Sequence, residues 1–546
     1  MKKILSIILA VAMIFAMSTA AFAAEEHKTT VTIENSNGRT YMGYQLLDLT
    51  TSLKTGQHHP QDCVDDDHDD DCYNYAYTVN EKYLTILQKE VFNNGGNYLW
   101  EGGIKPASAN LVTKDQILKY LSNQSSDSNG TYATMRQVAD RIYREIIAAN
   151  IEADAKNLTG TNDTIDQGYW IFADKTDLNN GTNVSNSLVM VDTAGLDNLT
   201  ITPKTDLPRV EKKVKDIEDT EDSNINDNEW HDTADHDIGD SVPFKLTATL
   251  PSNAQGYQTY KIIFHDTLAE SLTLKAETVK VLMYETLHKA NADFDLNDGV
   301  DVTNKFFKKT SDLDDENCNL EVGCDNVFAI ENVTKNTVFV VYYEAVLGET
   351  AVIGGAGNPN EVYLEYSNNA YSTSTGKTET DKVTVFTYQL KINKVDGEGH
   401  ALEGAEFTLY KKVLGQDEPV LIAIDTLGAN PTTFTWTGLD DGDYILKETK
   451  VPSGYNGMAD LEFTITATHS QAEDGSLVLT SLDGGKIGLG DTATGIIDEN
   501  IVNNTGSVLP ETGAMGTFLF IFGGAVLVMI AGVFMVVRKK MSVFED

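Results

Sequence analysis

The chain has 546 residues, with 41 Lys and Arg against 82 Asp and Glu, a net charge of −41 at pH 7. So acidic a balance argues against nucleic-acid binding, which needs a basic face, and suits a soluble, self-repelling extracellular protein. The four cysteines fall as two close pairs, Cys63 with Cys72 and Cys318 with Cys324. Secretion permits two local disulfides, but they cannot staple a chain of this length, so stability must come from cores or other cross-links.

In chain order, Lys2 and Lys3, the apolar run Ile4 to Met17 and Ala21-Phe22-Ala23 read as a secretory signal peptide over residues 1–24. About 490 residues then separate it from the C-terminal signals, enough for about three or four domains. Residues 25–205 are mixed. Thr30 to Ile33 alternates and predicts a strand, as does Tyr41 to Leu49. Met135, Val138, Ile142, Ile146 and Ala149 recur at three- and four-residue spacing and predict a helix. Residues 206–388 are strand-like, for example at Phe244 to Leu250, Val338 to Tyr343 and Val362 to Tyr366, with an acidic insert from Asp216 to Asp237 that predicts a loop. Residues 389–508 form a shorter all-β unit with turn signals at Asp396-Gly397 and Asp441-Gly442. Such regular short strands predict β-sandwiches. The expected fold is mainly β: an elongated tandem of immunoglobulin-like β-sandwich domains, the N-terminal one with added helices. Residues 509–546 begin with Leu509-Pro510-Glu511-Thr512-Gly513. An uncharged run from Thr517 to Val537 follows, about the ~20 residues that a membrane-spanning helix needs. Arg538-Lys539-Lys540 would then stay on the cytoplasmic side.

The LPETG pentapeptide, apolar span and basic stop resemble the cell-wall sorting signal of Gram-positive surface proteins. The resemblance implies that a sortase cleaves between Thr512 and Gly513 and joins the Thr512 carboxyl to an amine. Ile201-Thr202-Pro203-Lys204 resembles the pilin motif of sortase-assembled major pilins, departing from it at Thr202, where an aromatic residue is common. It implies that the Lys204 amine attacks the acyl-enzyme at Thr512 of another subunit. Pro203 would hold that segment extended and unpaired. Tyr444-Ile445-Leu446-Lys447-Glu448-Thr449 resembles the E-box of Cna-B-type domains, with Leu390 to Asp396 as their first strand and Ile501 to Asn504 as their last. There the resemblance implies an intramolecular isopeptide bond between Lys394 and Asn503, with Glu448 as catalyst.

The residue pattern agrees independently. Alternate residues of a strand share a face. Lys394 is in phase with Leu390 and Ile392, Glu448 with Tyr444 and Leu446, and Asn503 with Ile501. All three should point inward. Burial lowers a lysine pKa and raises a carboxyl pKa, so a neutral amine can attack the Asn503 amide while protonated Glu448 polarises it. The middle domain repeats the pattern: Lys212 lies in phase with Val210 and Val214, Asp266 with Ile262 and Phe264, and Asn368 with Leu364 and Tyr366. Lys212, Asp266 and Asn368 are therefore the proposed second trio, with Lys213, Asn369 and Asp240 as alternatives.

Asp293, Asp295, Asn297, Asp298, Gly299 and Asp301 form an acidic turn resembling a calcium loop, but the glycine falls one place late and no Glu sits at the twelfth position. No other metal or cofactor is expected. Asp65 to Asp71, between Cys63 and Cys72, reads as a disulfide-closed acidic loop. No hydrolase, nucleotide-binding or metalloprotease motif is visible among the ten scattered His. The resemblance implies a structural protein, not an enzyme: the backbone subunit of a cell-surface pilus anchored to the peptidoglycan. Its partners would be other copies of itself, a pilus-class sortase and minor pilins. The alternative is a monomeric wall-anchored adhesin or minor pilin, which would not need Lys204.

Overall fold

In this computed structural model the described residues are 28–506, apart from 35–38, 54–72, 125–133, Asn162, 176–184, 204–205, 218–229, Asp293, 426–430 and 472–475. They are mostly β and build successive units around separate apolar cores.

In the first unit, Lys28–Ile33 lies between Asp163–Asp166 and Asn198–Ile201 in a three-stranded sheet. Tyr41–Leu53 and Gly168–Asp174 pair at the centre of a second sheet. The helix Thr134–Ala148 covers it, burying Val138, Ile142 and Ile146 as their spacing requires. The shorter helix Lys114–Ser122 starts at a capping box, where Thr113 accepts from the Gln116 amide and the Gln116 side chain accepts from the Thr113 amide.

The second unit is a sandwich of a six-stranded and a seven-stranded sheet. Arg209–Lys215, Ser241–Thr249 and Val338–Leu347 are neighbours in the first; Ile262–Leu268, Asn358–Ser367 and Leu320–Cys324 are neighbours in the second. The core between them includes Phe244, Phe264, Tyr343, Leu364 and Tyr366.

The third unit sets a four-stranded sheet against a five-stranded one. Its first strand, Tyr388–Asp396, runs parallel to its last, Ile496–Asn503. Trp436, Tyr444 and Leu446 are fully buried between the sheets.

Polar and aromatic contacts join the units. Tyr371, in the turn after Asn358–Ser367, meets Tyr143 edge-on at 4.7 Å and Arg144 at 5.0 Å and donates to Asp140, all on the helix Thr134–Ala148. Between the second and third units, Gly354 (φ +80°) passes so close to Gly495 that a Cβ on Gly354 would lie 2.2 Å from the Gly495 nitrogen. Only glycine fits this crossing.

Candidate functional site

The middle unit holds a polar cluster between its two sheets. Arg209–Lys215 turns alternate side chains to opposite faces. Lys212 is thus fully buried, while Lys213 reaches outward to Asp232 at 2.7 Å. The Lys212 ammonium lies 2.5 Å from Asp266 Oδ2 on the opposing sheet. It also donates to the Tyr343 hydroxyl at 3.1 Å, and that hydroxyl donates to Asp266 Oδ1 at 2.9 Å. Asn360 Nδ2 donates to the same hydroxyl at 2.7 Å. Burial pushes the Lys212 pKa down and the Asp266 pKa up, against their mutual attraction. Both shifts favour the uncharged forms, as desolvation requires.

The asparagine in this cluster is Asn360, not Asn368. Ile262–Leu268 pairs antiparallel with Asn358–Ser367, with Asp266 opposite Val362 and Leu268 opposite Asn360. Asn360 is therefore two residues from the level of Asp266, whereas Asn368 is six residues away in the other direction, roughly 20 Å along the strand. Asn368 points inward as its phase requires, but it belongs to the joint with the first unit. Its carbonyl accepts from the Asn186 amide at 2.8 Å and its side chain accepts from Ser374 at 2.8 Å. Asn369 caps the same turn, accepting from the Tyr371 amide. Asp240 faces His236 and accepts from the Asp237 amide, apart from Lys212.

The third unit brings all three expected residues together. Lys394 is fully buried; its ammonium lies 3.7 Å from Glu448 Oε1 and donates to the Ile501 carbonyl at 3.1 Å. Asn503, on the adjacent parallel strand, donates from Nδ2 to Glu448 Oε1 at 2.7 Å. Glu448 reaches across from the other sheet and is held by the Met458 amide at 2.9 Å. Burial pushes the Lys394 pKa down.

One feature is common to both clusters. Asn360 Oδ1 and Asn503 Oδ1 are buried acceptors without a hydrogen-bond partner. A buried unsatisfied carbonyl is costly and uncommon. Here each belongs to an amide whose nitrogen is hydrogen-bonded to a group that also contacts a buried lysine.

The cysteine pair of the middle unit is not bridged. Cys318 and Cys324 are buried free thiols: Cys324 ends the strand Leu320–Cys324 and pairs with Ile262, while Cys318 precedes that strand by two residues with its sulfur by Thr267. Leu320 and Cys324 alone are separated by roughly 13 Å at ~3.3 Å per residue, and Cys318 lies beyond Leu320. That is past the ~7 Å Cα limit for a disulfide. In the acidic turn, Asp295 and Asp301 accept from the amides of Asn297 and Thr303 and serve as turn caps. Asp293, Cys63, Cys72, Lys204, Thr512 and Gly513 lie outside the described residues, as does the apolar run Thr517 to Val537. Among the described residues no helix is long and apolar enough to cross a membrane.

Residues 388–476 match the family model of the SpaA prealbumin-like fold domain. Over 402 residues the chain is 25% identical to the trypsin-resistant surface T6 protein of Streptococcus pyogenes serotype M6, covering 62% of this chain and 70% of that one. The solved structure of the T6 backbone pilin of serotype M6 S. pyogenes is described as modular and three-domain. It is 18% identical, with 88% of this chain and 98% of that one covered at a TM-score of 0.46. This chain is thus similar to a Gram-positive surface protein and carries a SpaA-type prealbumin-like domain. The full-length major pilin SpaD of Corynebacterium diphtheriae is also similar, at 18% identity over 65% of this chain and 84% of that one, with a TM-score of 0.39. The SpaA-type match coincides with the unit that holds Lys394 and Glu448.

Proposed function

We propose that this chain is the backbone subunit of a covalently polymerised cell-surface pilus. In this reading a pilus-class sortase cleaves after Thr512 and joins its carboxyl to the Lys204 amine of the next copy; minor pilins and peptidoglycan complete the assembly. The protein is a sortase substrate and has no turnover of its own.

The observation that carries the reading is the recurrence, in two successive units, of a buried lysine, a buried carboxyl and a buried asparagine linking an early strand to a late one. In each, the neutral lysine amine attacks the asparagine carboxamide carbon. The new C–N bond forms, the bond to Nδ2 breaks, and Nδ2 leaves as ammonia with protons relayed by the carboxyl group. In the third unit the carboxyl is Glu448, beside the leaving nitrogen. In the middle unit it is Asp266, acting through Tyr343, and the acceptor is Asn360 in place of Asn368. The product amide is neutral and cannot ionise, so the core no longer holds a lysine that would be costly to charge there. Each bond closes a loop of ~110–150 residues, worth about 5 kcal/mol in the chain-entropy model. Tension passing from Lys204 to Thr512 would then run through covalent ties near the ends of both units.

Mass spectrometry of peptides from wall-released, detergent-resistant material tests the assembly. A branched peptide joining Lys204 to Thr512 is expected, and Lys204→Ala should abolish the ladder of polymers while leaving secreted monomer. Thr512 joined only to peptidoglycan, with Lys204 free, would overturn the proposal and leave a monomeric wall-anchored adhesin.

A further inference from the structure

A third buried lysine lies where the second and third units meet. Lys411 ends the strand Glu406–Lys411 and is 1% exposed. Its ammonium lies 2.7 Å from Asp237 Oδ2, in the middle unit, and 3.3 Å from Asp440 Oδ2, in its own unit. The Asp440 amide donates to Asp237 Oδ1 at 2.9 Å, and the Ile238 amide donates to the Gly438 carbonyl at 2.9 Å. The two segments are therefore locked together by backbone as well as side chains. The two carboxyl groups differ in environment. The Asp440 side chain is 3% exposed and that of Asp237 is 21% exposed. Burial, reinforced by Asp441, Asp237 and Asp216, drives the Asp440 carboxyl well up despite Lys411, towards its neutral acid form. Asp240 adds a third carboxylate, with one oxygen of each of the three within 4.8 Å of the others, and it also faces His236. One lysine thus sits among more acid groups than it can neutralise.

We infer that Lys411 and Asp440 form a third intramolecular isopeptide bond, with Asp237 of the neighbouring unit as its proton acceptor. An ionised carboxylate resists nucleophilic attack, whereas a neutral acid accepts it, so Asp440 is the electrophile and Asp237 the base. The Lys411 ammonium gives one proton to Asp237, and the free amine adds to the Asp440 carboxyl carbon. The tetrahedral intermediate loses its hydroxyl together with the second amine proton as water. Asp237 keeps the first proton until its solvent-exposed edge releases it. The bond formed is Nζ–Cγ, the bond broken is Cγ–OH, and no oxidant or cofactor is required. Unlike the Lys212 and Lys394 centres, this one draws its base from a different unit. The cross-link can form only after the second and third units have docked, and it fixes the end of the third unit that bears on the joint. The inference does not depend on polymerisation or on Lys204.

Peptide mapping of the secreted full chain by mass spectrometry tests it. The linear peptides carrying Lys411 and Asp440 should be replaced by one cross-linked species lighter than their sum by about 18 Da, the mass of the water expelled. Lys411 should resist trypsin. Asp237→Asn should restore the linear peptides while a Lys394–Asn503 cross-link in the same digest persists, which shows that the variant has folded. Linear Lys411 in the wild-type digest would reduce the cluster to a buried ion pair or a cation site and overturn the inference. A cross-link that survives in Asp237→Asn would overturn the role given to Asp237. Absence of the Lys394–Asn503 species is a separate result, bearing on the function proposed above.

Discussion

Asn360 donates from Nδ2 to the Tyr343 hydroxyl at 2.7 Å, and through that hydroxyl the amide is linked to both Lys212 and Asp266. Asn360→Ala should therefore leave the middle unit without its cross-link. Its mass should show the loss of one ammonia fewer than wild type, about 17 Da, after allowing for the substitution. Losing about 5 kcal/mol from a domain of this size should lower its melting temperature by roughly 10–20 °C. Asn368→Ala should retain the cross-link and weaken only the joint with the first unit. Tyr343→Phe keeps the ring but removes the bridge, so uncross-linked chain should accumulate early and convert slowly. A wild-type mass deficit in Asn360→Ala would refute the assignment.

Cys318 and Cys324 are predicted to remain thiols in the folded protein. Burial raises both pKa values, and a buried thiol with little thiolate character is a poor nucleophile. Alkylation should label neither in the folded chain and both after denaturation. Recovery of a peptide pair bridged between Cys318 and Cys324 would mean that the strand Leu320–Cys324 is not formed as described.

Why the sequence located some of these residues and missed others follows from what a local pattern contains. Alternation identifies the inward face of a strand, and Lys212, Asp266, Lys394 and Asn503 are all buried as their phase requires. The same rule cannot rank Asn360 and Asn368, which are in phase along the strand Asn358–Ser367 and its immediate continuation; the register against Ile262–Leu268 separates them, and register is set by pairing between distant segments. Tyr343 had a weak signal: its hydroxyl is placed among apolar neighbours on an inward face, and a buried hydroxyl usually has a partner. The cysteine pair failed for the opposite reason. Closeness in sequence is not closeness in space here, because the extended strand Leu320–Cys324 carries Cys324 away from Cys318. The helix Thr134–Ala148 was legible because its periodicity is long and unbroken.

Lys245 provides a pH-dependent prediction. It is 3% exposed, and its ammonium faces the rings of Trp230 at 5.2 Å and Phe294 at 5.3 Å. Desolvation brings its pKa down to about 8, with Glu211 opposing and Lys213 assisting. Between about 8 and the ordinary lysine value the unfolded chain binds more protons than the folded one, so stability rises with pH across that window. Below it the penalty is complete, about 3 kcal/mol at 1.36 kcal/mol per unit. Lys245→Met should therefore be more stable than wild type at pH 7, by an amount that shrinks as pH rises from 8 to 10. Denaturant titrations of both proteins at several pH values measure the difference. A gap independent of pH would show that the cost at this site is not one of charge.

The third unit supports a mechanical prediction. Its first and last strands run parallel, paired from Gln389 with Ile496 to Asp396 with Asn503. Tension applied to the two ends of this unit shears the ladder between them. With the amide between Lys394 and Asn503 in place, force crosses directly from strand to strand and the residues between are shielded. Glu448→Gln preserves side-chain shape and can still accept from the Met458 amide, but it cannot take the lysine proton. Its mass should show one ammonia retained, about 17 Da, and Lys394 should become cleavable by trypsin. Under a pulling force, wild-type chains should show no extension from this unit. Glu448→Gln should release about 100 residues, close to 35 nm at ~3.5 Å per residue. Release of that length by wild type would mean that the tie is absent. An unchanged mass in Glu448→Gln, with no release, would mean that the bond forms without Glu448.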